Sequence, residues 1–132
     1  MKGEVFMINT DTLEKLISIY KDNTEMLKII SEQLESFEKY HSAIYFMESK
    51  LKVFTTEAVG TDEYQDAVKE MDKKRTRCHN DVIMAVSMFN RMAEKEGIAP
   101  FYDGEVSEER PYRRQIANAV LSYVEEIIEK RR

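Results

Sequence analysis

The chain has 132 residues, 42% hydrophobic and 34% charged, with a formal net charge of −5, four glycines, two prolines and one cysteine. That length supports one domain whose core needs neither metal nor disulfide, and the lone Cys78 excludes an intramolecular disulfide and predicts a cytoplasmic protein. The longest uncharged runs fall far short of the ~20 residues of a membrane span, and an acidic charge spread evenly along the chain argues against a dedicated nucleic-acid binder, because phosphate affinity comes mostly from clustered lysine and arginine.

In chain order, residues 5–8 form a short apolar cluster expected to fold back onto the first helix. Thr10 or Asp11 can cap that helix, with Glu14 completing a capping box on Asp11. Neither glycine nor proline occurs from there to about residue 56, and a seven-residue frame holds throughout. One position of the frame reads Leu13, Tyr20, Leu27, Leu34, His41, Glu48; the other reads Leu16, Asn23, Ile30, Phe37, Ile44, Leu51. The unbroken frame predicts one continuous helix over 10–56. The alternative is a break at 21–25, where Asp22 and Glu25 would cap a second helix.

Residues 57–61 make a short connection, with Gly60 suited to a positive φ and Thr61 to an N-cap, so the next helix should run antiparallel to the first. Folding back about residue 58 places His41 opposite Arg75 and Cys78. The second long helix covers 61–97. Its apolar residues Tyr64, Val68, Met71, Cys78, Val82, Ala85, Phe89 and Met92 recur in steps of three and four. Arg75 fills one slot of that stripe, and if buried it requires a carboxylate such as Glu38, Glu126 or Glu129. Gly97 followed by Pro100 stops the helix.

The loop 98–106 carries Phe101 and Tyr102 ahead of an Asp-Gly turn; it is an interaction tip or, more simply, a plug for the open end of the bundle. The last helix should start at Ser107, with a stripe of Tyr112, Ile116, Val120, Tyr123 or Val124, and Ile127. The fold expected is therefore all-α, one domain over 1–132, an antiparallel three- to four-helix bundle with two very long helices. The last helix is too short to cover the first. An uncovered seam of Leu13, Leu16, Tyr20, Leu27 and Ile30 then predicts a homodimer, or docking of another protein.

The residues that could carry chemistry are few. Cys78 and His79 are adjacent, about 100° apart on a helix, so they diverge and with Asp81 make a poor metal site. Glu38-Lys-Tyr-His41 is a single Glu-x-x-His string where a di-iron bundle needs two. No metal, cofactor or catalytic set is expected. A basic run, Lys73, Lys74, Arg75 and Arg77, with Arg110, Arg113, Arg114 and the terminal Lys130, Arg131 and Arg132, either builds a patch for an anionic partner or pairs with carboxylates along the helices.

Residues 75–91, RTRCHNDVIMAVSMFNR, followed by G-x-x-P-F-Y-D-G-E and Arg110, resemble an uncharacterised bacterial family known only as a domain of unknown function. The similarity is clearest over 64–132. It implies a compact all-helical protein of Firmicutes type and brings no activity with it. The residues that carry it, among them Arg75, His79, Asn90, Arg91, Pro100, Tyr102, Gly104 and Arg110, are polar or turn-forming, and Arg75, His79, Asn90 and Arg110 are expected to meet at one surface or in one polar network. The functional expectation is a non-enzymatic interaction or adaptor module without membrane association. The alternative is a nucleic-acid-associated regulator of a mobile element, acting through a basic patch at Lys73, Lys74, Arg77 and Arg131.

Overall fold

The described residues of the computed structural model are 7–52, 60–107 and 109–130, without the side chains of 47–52 and 110. They form four helices: α1 (Thr10–Ile19), α2 (Thr24–Lys52), α3 (Asp62–Glu96) and α4 (Arg110–Lys130). The architecture is an all-α bundle. Its one extended pairing among the described residues is an isolated antiparallel bridge between Ile8 and Tyr102. At 29 and 35 residues, α2 and α3 extend roughly 44 and 52 Å at the helical rise of ~1.5 Å per residue.

The first helix is not continuous. It ends at Ile19, and Asn23 restarts the chain by accepting the Met26 amide on its side chain at 3.1 Å, with its carbonyl taking the Leu27 amide at 3.0 Å. Asn23 therefore caps α2 in place of Asp22. An asparagine side chain competes with the helical backbone for hydrogen bonds, and at a position that should be apolar it has little burial to lose. The break lets α1 leave the line of α2 and pack on α3, burying Leu13 and Leu16 in the chain's own core. Ile30 is buried as well, and Tyr20 and Leu27 are half-buried. Three of the five seam residues from which a homodimer was expected, Leu13, Leu16 and Ile30, are thus buried within one chain.

Other ends differ from expectation in smaller ways. Asn9, rather than Thr10 or Asp11, caps α1 by accepting the Thr12 amide at 3.3 Å. Thr61 caps α3 as expected, and Gly97 ends it in the left-handed region at φ 69°, with the Ile98 amide returning to the Ala93 carbonyl. Gly60 does not adopt a positive φ, and 53–59 lie outside the described residues. α4 begins at Arg110, not Ser107; the Ser107 hydroxyl instead accepts the Glu109 amide in a local turn.

The core is aromatic where α1, α2, α3, α4 and the 98–106 loop meet. Phe101 and Tyr102 are fully buried, so the loop plugs the bundle. Phe101 lies 4.7 Å from Phe89 and 6.0 Å from Phe37 between ring centroids, and Tyr123 meets Phe37 edge-on. Asn90 fixes the plug with both ends of its carboxamide, accepting the Tyr102 amide at 2.9 Å and donating to the Tyr102 carbonyl at 3.1 Å. A side chain here supplies the two bonds that a neighbouring strand would, so that a loop backbone enters the core with its polar groups paired. The N-terminal segment ties in beside it: the Asn9 amide donates to the Phe101 carbonyl, and the Thr12 hydroxyl to that of Ala99. At the far end of α1, Tyr20 donates to Glu96 at 2.9 Å. Gly104 is required by close approach, because a Cβ there would lie 2.6 Å from the buried Tyr102 hydroxyl.

Candidate functional site

Eleven residues before Asn90, about 16 Å along the axis of α3, the bundle is open. Every residue from 72 to 77 is exposed. The charge in the apolar stripe is explained by this: Arg75 is not buried against Glu38, Glu126 or Glu129 but pairs with Asp72 on its own helix at 2.9 Å. An i,i+3 pair this exposed adds little stability.

His79, one turn later, is half-buried, and its Nε2 lies 2.6 Å from the hydroxyl of the buried Tyr40 on α2. The residue opposite this stretch of α3 is therefore Tyr40, not His41. One residue further along α2 turns the side chain by about 100°, so His41 faces α4, its ring on Tyr45 and its Nε2 3.9 Å from Glu125. Cys78 turns the other way, towards Ser42, Phe46 and Lys74. Thiol and imidazole do not converge, and among the described residues no three metal-ligating side chains cluster.

Tyr40, Arg75 and His79 form one wall of a cleft of about 420 Å³ whose other wall is α4, with Arg113, Arg114 and Asn118. Thr76 joins the polar lining, and Ile44, Ala117 and Leu121 give it an apolar floor. Among the described residues no carboxylate lies within 4 Å of Arg113 or Arg114. Two helices thus aim three guanidiniums at one space, with a single acid, Asp72, opposing them. Burial, and then Arg113 and Arg75, hold the His79 imidazole below its usual value, so it is neutral at physiological pH. Burial pushes the Tyr40 phenol up to about 12, against the opposing effect of Arg75. The phenol therefore stays protonated at neutral pH, and it shares with His79 Nε2 a hydrogen bond whose direction follows the tautomer of the ring.

Of the residues expected to meet, Arg75 and His79 do. Asn90 and Tyr102 meet each other in the loop plug, and Arg91 is exposed on α3. The side chain of Arg110, and Arg131, lie outside the described residues. The basic run 73–77 wraps the helix: Lys74 turns to α2 with its ammonium 4.8 Å from the Phe46 ring centroid, Arg75 turns to the cleft, and Lys73 and Arg77 share an exposed face. Sequence reasoning placed Arg113 and Arg114 in a general basic patch without joining them to His79, and it missed Tyr40, Thr76 and Asn118. The available signal was the spacing of Arg75 and His79, four residues apart on one face, with two adjacent arginines at the start of the helix that closes the bundle.

Fold and cleft together define a small helical protein with a cationic recess between α2, α3 and α4. The chain belongs to the family described as "Protein of unknown function (DUF3232)", whose model matches residues 3–132 and so takes in α1 and α2 along with the part where the resemblance was plainest. No curated protein and no solved structure matches it. No helix among the described residues is long and apolar enough to cross a membrane.

Proposed function

We propose that the protein is a non-enzymatic recognition module that engages an acidic partner protein through the cleft between α2, α3 and α4. The observation that carries this reading is the convergence of Arg75, Arg113 and Arg114 on one recess, with no carboxylate within 4 Å of Arg113 or Arg114 among the described residues. Cations that serve only solubility or helix stability tend to pair along their own helix, as Lys15 does with Asp11. Guanidiniums held on two helices and left facing a recess are placed to bind carboxylate or phosphate groups in their planar, forked geometry. The divergence of Cys78 from His79, and the occupation of His79 Nε2 by Tyr40, support a binding role over a catalytic one.

The test is binding of glutamate-rich peptides by fluorescence anisotropy. Reversing charge at Arg113 and Arg114 together should weaken binding by about tenfold or more, while reversal at the distant, exposed Lys28 should not. Binding that ignores the first pair would sink the reading. A weaker second reading, nucleic-acid association, has in its favour the exposed pair Lys73 and Arg77 on one face of α3. It requires affinity for duplex DNA or RNA that falls steeply with salt and is lost on substitution of that pair.

A further inference from the structure

We infer that the group seated in the cleft is a phosphate monoester carried on a compact, partly apolar body; this rests on the cleft being the recognition site proposed above. Charge is the first argument. Three guanidiniums opposed by the one Asp72 carboxylate leave a surplus of about two positive charges, which matches the dianion that a phosphate monoester approaches at neutral pH. A carboxylate or a phosphodiester brings only one. Because His79 is neutral, it does not raise the surplus; its ring lines the cleft in an orientation held by Tyr40.

Donor geometry is the second argument. A monoester presents three terminal oxygens, and the cleft presents donors from opposite walls: Arg75 and Thr76 on α3, Arg113, Arg114 and Asn118 on α4. A planar carboxylate has two oxygens and would leave part of this set unused. Size and polarity give the third. About 420 Å³ falls in the ~300–1,000 Å³ range of small-ligand sites and exceeds what a bare anion fills, and the floor of Ile44, Ala117 and Leu121 suits an apolar substituent. A phosphorylated side chain of a partner and a small phosphorylated metabolite share this chemistry.

The experiment follows the arginine side-chain N–H signals and the His79 ring signals of the labelled full-length chain by NMR, near neutral pH. The probes are phenyl phosphate, inorganic phosphate, benzoate, a glutamate-rich peptide and a short phosphotyrosine peptide. Phenyl phosphate should bind about tenfold more tightly than benzoate and than inorganic phosphate. Arg113→Lys, which keeps the charge but loses the fork, should weaken it severalfold with an unchanged thermal midpoint. Tight binding by the phosphopeptide assigns the group to a partner protein, and binding by phenyl phosphate alone assigns it to a metabolite; both support the inference. If benzoate or the glutamate-rich peptide binds as well as phenyl phosphate, the cleft is a carboxylate site, which overturns the inference and leaves the recognition role standing. If no anion shifts these signals, both fall.

Discussion

Asn90 and His79 are polar side chains on the same helix, and they end in opposite circumstances. Asn90 uses both ends of its carboxamide on the backbone of a loop that it draws into an aromatic core. His79 uses one ring nitrogen on Tyr40 and turns towards a cleft edged with arginines. At the first position five segments of chain meet, and Asn9, Thr12 and Asn90 each bond the backbone of the loop. At the second, α2, α3 and α4 enclose a recess whose cations serve no evident structural purpose. Polar residues that pattern together in a sequence can therefore separate into those that build the fold and those it leaves available.

The contrast can be broken from the aromatic end first. Phe101→Ala removes a fully buried ring from the Phe37–Phe89 stack and should lower the free energy of unfolding by about 3–5 kcal/mol, read from urea titration. Asn90→Ala strands the amide and carbonyl of a buried residue and should cost about 2–3 kcal/mol in the same measurement. Gly104→Ala forces a Cβ against the Tyr102 ring, with an expected loss of about 1–3 kcal/mol.

The arginine end should respond to pH instead. Below the usual imidazole value of 6.5 the unfolded chain takes up a proton at residue 79 while the folded chain stays neutral. Stability therefore falls as pH drops through that value, and the loss stops only below the folded pKa. His79→Gln should flatten this part of the curve of urea midpoint against pH. Tyr40 acts at the other extreme. Above pH 10 the unfolded phenol ionises first, so stability falls between 10 and about 12, and Tyr40→Phe should lessen that fall, leaving the part due to Tyr20 and Tyr102, whose phenols burial also raises. The smallest effect sharpens the comparison most: Arg114→Ala should change stability by no more than about 0.5 kcal/mol while impairing anion binding. A large loss of stability would make Arg114 a structural residue and erase the distinction between the two ends.

Much of the fold was legible because α3 is written in redundant signals. Thr61, Gly97 and the stripe from Met71 to Met92 each point to the same helix, and the last helix buries Ile116, Val120, Tyr123 and Val124 as its period requires. The break after Ile19 was not legible, because a heptad frame records which positions are apolar and not whether the axis bends between them. One capping asparagine overrode forty residues of pattern. The cleft was half legible. Arg75 and His79 share a face by spacing alone, but their neighbours depend on the register between α2 and α3. A small error in that register exchanged Tyr40 for His41 and turned attention to Cys78.

The ties of α1 have a consequence for the order in which the molecule can be completed. Tyr20 reaches Glu96, Thr12 reaches Ala99, Asn9 reaches Phe101 and Ile8 pairs with Tyr102. During synthesis α1 emerges before its anchors, each of which lies some 75 to 95 residues downstream. The arm must wait undocked until α3 and the loop after it have been made, and the aromatic chamber is sealed only when α1 returns to the loop that leads into α4.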